Sequence, residues 1–359
     1  MVFYIILIFI VLTLFLFSYN YPGKEKIVSV CLLVIMILIG GFREGIGWDY
    51  NNYTYWYLYG TRDNNVEYGF LMIMKIFRFL NLSYTFLFFF FSFFTYFFVY
   101  LAVRKYTPKS SLPLVLYFMI PVLFLYSFTY IRQFLSVAIA FYAFSFLLDK
   151  KYYYYSVLML LAMFIHYSSL IPFVVFLMIF KWGEFVRVRY LYIVIGVSFV
   201  ISQIGVIHLF TFIFKESHYL YYVSNEFAVP VPFLKLVALN TMALIILWYY
   251  QKFGFKLSHQ KYLMLAYIYS IVFVNMFSES TELTRIYIYF RIFEIILVSE
   301  IIYYTLLNKK ILLASFICFF YLFPFFRAII IDEEKQKDEK QRLIPYRSLL
   351  IKNLSLIHI

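Results

Sequence analysis

The sequence predicts an all-α, polytopic integral membrane protein with about 10–12 transmembrane helices. Three observations carry that expectation. Of 359 residues, 65% are apolar and 14% charged, with a mean hydropathy of +0.85, which excludes an ordinary water-soluble globular chain. The apolar residues gather into runs close to the ~20 residues a helix needs to cross a hydrocarbon core. Aromatic side chains make up 25% of the chain, more than interfacial belts require, so most must face lipid or neighbouring helices.

Taken in order, the runs place spans over 2–19, 27–42, 84–103, 114–130, 131–148, 152–165, 168–180, 190–209, 233–250, 262–278, 286–306 and 311–325. The sixth and seventh are halves of one long run broken by His166 and Pro172, so each is short. No base precedes the first span and no small-residue cleavage site follows it, so it reads as a retained helix with its N-terminus outside. Alternate connections, from Lys24 and Lys26 through Arg104, Lys105, Lys150 and Lys151 to Lys309 and Lys310, collect fifteen bases against three acids. Lys and Arg concentrate in short cytoplasmic loops, so these connections face inward. The net charge of +13 follows from that asymmetry, and nucleic-acid binding is not expected.

This organisation gives a transmembrane domain over 1–326 with two external segments, 43–83 and 210–232. Within the first, Gly69–Leu80 carries Lys75 and Arg78 among apolar residues, the pattern of an amphipathic helix on the membrane surface. The second holds Lys215, Glu216, His218 and Glu226 between prolines and suits either a lid or a connector. A charged external tail follows over 327–353, and 354–359 reads as a sequence artefact.

Zinc-hydrolase, serine-hydrolase and P-loop signatures are absent. Cys31 and Cys318 both lie in apolar runs, and lone acids lack a second ligand at metal spacing, so no metal site or cofactor is expected. Arginines at the outer ends of spans stand out instead. Arg43, Arg132 and Arg285 are expected on one side of the membrane, each beside a polar neighbour, and a guanidinium there calls for a partner or a function. Snorkelling is the bland alternative for each. A permanently charged planar fork suits a phosphate or diphosphate. The glycines around Arg43 suit a backbone turn, or an approach of main-chain N–H groups to an anion. Asp49 and His166 are the candidate proton acceptors, with a pairing of Asp49 to Arg43 and a backbone-satisfied His166 as the bland readings.

Several segments together resemble the EpsG/Wzy family of membrane polysaccharide polymerases. They are Phe42-Arg43-Glu44-Gly45-Ile46-Gly47-Trp48-Asp49-Tyr50-Asn51-Asn52-Tyr53, Glu67-Tyr68-Gly69-Phe70, Ile131-Arg132-Gln133, Phe164-Ile165-His166-Tyr167-Ser168 and, more loosely, Arg285 with Tyr289-Phe290. Tyr68 stands where the family pattern has proline. The resemblance implies polymerisation of undecaprenyl-diphosphate-linked oligosaccharide units at the outer face of the bacterial cytoplasmic membrane. It implies Arg43, Arg132 and Arg285 on the diphosphate, Asp49 or His166 as base, and Trp48, Tyr50 and Tyr53 against sugar faces. It names a flippase and a chain-length regulator as candidate protein partners. The rival readings are an O-antigen ligase, which differs only in its acceptor, and a lipid-linked sugar flippase, which would string its charges along a path through the membrane.

Overall fold

The computed structural model describes residues 1–61, 66–204, 229–255, 257, 259–335 and 342–350. Most of the external segment expected over 210–232 lies outside them, including Lys215, Glu216, His218 and Glu226. So do Arg62 and Asp63 of the first segment and the stretch 354–359. Every regular element among the described residues is a helix, beside one isolated bridge between Arg43 and Ser348. The chain is therefore all-α, as its composition requires.

The helices are α1 (Val2–Asn20), α2 (Glu25–Gly41), α3 (Tyr50–Tyr59), α4 (Tyr68–Phe79), α5 (Tyr84–Tyr106), α6 (Ser111–Met119), α7 (Pro121–Phe124), α8 (Ile131–Leu148), α9 (Tyr152–Ile165), α10 (Leu170–Trp182) and α11 (Val188–Ile204). After them come α12 (Phe233–Phe253), α13 (Gln260–Met276), α14 (Glu294–Leu307) and α15 (Ile311–Glu334), with one-turn segments between α13 and α14. Among the described residues six are long and apolar enough to cross a membrane, or seven if the bent pair over 111–128 is one span. Three more expected spans, α2, α11 and α13, are helices of 17 residues, and α9 has 14. Short helices still cross when flanking side chains reach the interface or the bilayer thins.

Two compact units divide the chain: unit 1 is Met1–Leu170 with Ile302–Ile359, and unit 2 is Ile171–Ile301. Unit 1 is built around α8, which packs against both α5 and α9. Of its hydrophobic window 78% is buried, and small residues such as Ser136, Ala138 and Ala140 let neighbours approach closely. The Ser136 hydroxyl donates to the Ala162 carbonyl at 3.0 Å, fastening α8 to α9. The outer helices keep apolar faces exposed, as with Ile5, Ile6 and Phe9 of α1 and Leu312, Phe316 and Phe319 of α15. In a helix bundle inside a bilayer these are lipid-facing positions.

The span expected over 114–130 is not one straight helix. α6 and the segment from Pro121 to Phe128 meet at 86°, because Pro121 removes a backbone donor and biases Ile120 away from helical torsions. The bent pair nevertheless runs from one end of unit 1 to the other. At its start the Glu25 carboxylate accepts from the Ser111 backbone N–H at 2.6 Å and from its hydroxyl at 2.9 Å, and Ser110 meets Ser29 at 2.7 Å. At its finish the Phe128 carbonyl and Thr129 hydroxyl bind Arg43 and the Trp48 backbone N–H. Glu25 and Arg43 flank opposite ends of α2, about 25 Å apart at 1.5 Å per residue. The pair is therefore a broken span.

α15 continues to Glu334, so the boundary expected at 327 falls inside a helix. Residues 342–350 then return to unit 1 and dock on the end that carries Arg43. The Leu343 N–H donates to Asp332 at 2.8 Å, Glu44 N–H to the Arg347 carbonyl at 3.0 Å and Leu349 N–H to the Phe42 carbonyl at 3.0 Å. Tyr346 stacks on Phe3 at 3.9 Å and donates to the Ile39 carbonyl at 2.8 Å. The expected surface helix is α4, with Gly69, Phe70 and Met74 buried and Lys75 and Arg78 exposed.

Cysteines introduced at Lys109 and Trp48, in a chain with Cys31 and Cys318 replaced by serine, test the broken span. A membrane-impermeant maleimide applied to intact right-side-out membranes is expected to label only the Trp48 position. Labelling of both would make the segment re-entrant.

Candidate functional site

At the Arg43 end of unit 1, four chain segments converge. The first is the loop 42–49 and helix α3. Arg43 turns inward and is almost fully buried (1% exposed). Its guanidinium donates to the carbonyls of Gly40, Ile46 (3.2 Å) and Phe128 (2.9 Å) and lies 3.4 Å from the Ser92 hydroxyl. The rings of Phe88 and Phe128 stand 5.0 and 5.3 Å from it. The fork is thus occupied by main-chain oxygens. Gly47 has φ +101°, and a Cβ there would stand 2.3 Å from the Phe128 carbonyl oxygen, so only glycine lets this loop press on the turn after α7.

Asp49 precedes α3 and is half-buried. In α3, helical spacing puts Tyr50, Tyr53 and Tyr57 on one face, and all three are buried in an aromatic cluster with Phe70, Phe88 and Phe91. Tyr50 stacks on Phe88 at 4.3 Å. Of the three aromatics expected to face sugar, Tyr50 and Tyr53 are therefore packed inside, and Trp48 is the exposed one (47%). Burial pushes the Tyr53 phenol up to about 12 against the pull of Arg132, so it stays neutral.

Arg132, in the first turn of α8, is enclosed by the rings of Tyr53, Trp56 and Phe70 at 5.7, 5.6 and 5.2 Å. A cation opposes the positive end of its own helix there, so it needs an anion. Glu67 supplies it: one carboxylate oxygen pairs with Arg132 Nη1 and the other meets His166 Nδ1. Glu67 stands just before α4, and His166 just after α9. The Glu67 side chain is only 5% exposed, against 18% for Arg132 and 24% for His166. Burial pushes the Glu67 carboxyl up, but the His166 hydrogen bond and the Arg132 charge outweigh it and hold it below the ordinary carboxylate range.

Gly69 explains how Glu67 reaches that position. A Cβ on Gly69 would sit 2.4 Å from the Phe164 carbonyl oxygen, so the start of α4 lies directly on the backbone two residues before His166. Sequence reasoning passed over Glu67 as a site residue although it begins one of the motif segments. Its partners come from α8 and from the end of α9, and nothing local links it to them.

A model of the EpsG family matches residues 26–348, most of the chain and every segment of this cluster. The chain belongs to the EpsG family. No curated protein and no solved structure matches it. EpsG membership supports a polysaccharide-polymerase-like role in a multi-pass membrane protein. The matched region also takes in the docked segment up to Ser348, which pairs with Arg43.

The remaining expected arginine of this EpsG chain belongs to unit 2. There α13 packs against α11 and α12, and Asn240 and Asn275 exchange side-chain hydrogen bonds at 2.9 Å. The span expected over 286–306 begins as one-turn segments, Thr281–Thr284, Arg285–Tyr287 and Ile288–Arg291. Arg285 is half-buried in the middle one. Arg291 pairs with Glu294, Nε to carboxylate oxygen at 2.9 Å, and ties the broken stretch to α14. Among the described residues no group of three or more His, Cys, Asp or Glu side chains is arranged to hold a metal ion.

Three outcomes are expected. Arg43→Lys cannot reach all three carbonyls and should destabilise the protein by about 2 kcal/mol, read as a lower thermal midpoint in detergent by fluorescence-detected size exclusion. Gly69→Ala should separate α4 from α9 and impair polymer formation in cells while leaving insertion intact, as followed by membrane fractionation. Because the Glu67 pKa is lowered on folding, its stabilisation is complete above the unfolded value of about 4.3 and disappears as pH falls through the lower folded value. The acid loss of thermal midpoint should therefore shrink in Glu67→Gln; an unchanged acid limb would show that other carboxylates set it.

Proposed function

We propose that this EpsG chain polymerises polyprenyl-diphosphate-linked oligosaccharide units, transferring the growing glycan from its carrier to a sugar hydroxyl of the next unit. The observation that carries this reading is the joining of Arg132 and His166 through one buried carboxylate at one end of the bundle. The opposite end holds Lys24, Lys26, Arg104, Lys105, Lys109, Lys150 and Lys151, so the positive-inside rule supports an outward-facing site.

The chemistry is a substitution at the anomeric carbon. The acceptor oxygen forms a bond to that carbon as the bond to the diphosphate oxygen breaks, and the hydroxyl proton passes to His166. Polyprenyl diphosphate is a competent leaving group, so the main demand is to meet the charge that grows on it, for which Arg132 is suited. Trp48, half-exposed with Lys335 Nζ 5.7 Å from its ring centroid, offers an aromatic surface to sugar, and Asp49 a carboxylate for sugar hydroxyls. Arg43 serves to build the loop that carries both. The reading rests on Arg132 and does not draw on Arg285. A flippase and a chain-length regulator are its natural protein partners, upstream and alongside.

The transport reading gains little from the helix break at Ile120. All of α6 is buried, and no acidic or basic residue occurs from Ser111 to Phe128, whereas a substrate path through the membrane calls for polar or charged lining.

Deleting the gene and complementing it with wild type, Arg132→Lys or His166→Asn, followed by gel analysis of surface polysaccharide, tests the proposal. The deletion should collapse a ladder to single-repeat material, wild type should restore it, and each variant should cut polymer by about tenfold or more. Glycan absent from its final acceptor but polymerised on the carrier would favour a ligase; an unchanged ladder would sink the proposal.

A further inference from the structure

Glu67 is the one buried charge of this cluster that the proposed chemistry leaves without a task. It makes no side-chain cap bond to α4, whose first turn it precedes, and a counter-ion for Arg132 alone would need only one oxygen. Here the two oxygens are divided, one to Arg132 Nη1 and one to His166 Nδ1. An ionised carboxylate only accepts hydrogen bonds. A neutral imidazole held against it through Nδ1 must carry its proton on that nitrogen, which leaves the Nε2 lone pair as the basic position.

We propose that Glu67 is a positioning residue for glycosyl transfer, fixing His166 in the Nδ1–H tautomer while holding the Arg132 fork at a set separation from it. The inference rests on the polymerase reading for its chemical purpose, though the tautomer itself can be read without any activity. Base and anion-binding group then share one anchor. When His166 takes the acceptor proton on Nε2, the imidazolium is stabilised by Glu67, and the charge developing on the diphosphate is met by Arg132. The close contact of Gly69 with the Phe164 backbone sets the reach: moving α4 away from α9 would stretch the carboxylate away from His166.

The test uses full-length protein in lipid nanodiscs with 15N-labelled histidine, the His166 signals being assigned by their loss in His166→Asn. At neutral pH the wild type is expected to show a protonated Nδ1 and an unprotonated Nε2. Glu67→Ala should shift His166 toward the Nε2–H tautomer and lower the rate of polymer formation from purified lipid-linked units by about a hundredfold. Glu67→Gln keeps a carbonyl acceptor and so should keep the tautomer, yet it loses the charge on Arg132 and should lower the rate by about tenfold. Glu67→Asp should recover part of the rate. The aspartate variant also guards against a fold defect in the alanine protein. A wild-type His166 protonated on Nε2, or the same tautomer in Glu67→Ala, would overturn the inference. The expected tautomers with a wild type that makes no polymer would instead overturn the polymerase reading and leave the Glu67–His166 assignment standing.

Discussion

Arg132 enters the first turn of the most enclosed long helix in unit 1, and a cation there has to be met by an anion. The positive end of the helix repels it, and the surrounding rings of Tyr53, Trp56 and Phe70 shield it from water. Leaving such a charge unmatched would cost about 3–5 kcal/mol. Glu67 resolves this, but only if α4 begins beside α9, and only if α9 ends where His166 can share the carboxylate. The positions of three helices thus follow from matching one guanidinium.

Arg43 solves a different problem with the same side chain. Its donors are spent on carbonyls at the end of α2, in the loop before α3 and at the far end of the broken span. Helix ends and turns leave such carbonyls without helical partners, and inside a membrane protein water does not supply the missing donors. A guanidinium, with five N–H groups in a fixed fork, can satisfy several at once. The result is a rigid platform from which Trp48 and Asp49 project and on which residues 342–350 dock. Two arginines that look alike in the sequence thus have different surroundings: one is saturated by the backbone, the other is balanced on an acid and partly open.

Two glycines and one proline permit close approach at this end. Gly47 and Gly69 each lie where a Cβ would strike a carbonyl oxygen, and Pro121 bends a span whose far end supplies two of the anchoring groups. Backbone-to-backbone contact of this kind holds positions more tightly than long side chains do, which suits the fixed meeting of Glu67 with Arg132 and His166.

Much of this was legible in the residues. Hydropathy and length located the helices, because the hydrocarbon core sets how long an apolar run must be to span it, and charge asymmetry separated the two ends. The motif segments around Arg43, Glu67, Arg132 and His166 marked out the family and the candidate site. Which of those residues act together was not legible. Tyr50 and Tyr53 looked like sugar platforms, yet the phase of α3 turns them inward; Arg43 looked like an anion ligand, yet its loop folds back over it; Glu67 looked like one acid among several. Sequence order alone determined that this chain crosses the membrane many times with its distinctive polar residues at helix ends. Only the tertiary structure decided that Glu67 lies between Arg132 and His166, because that depends on how α4, α8 and α9 pack, and side chains 34 or more residues apart meet only through packing.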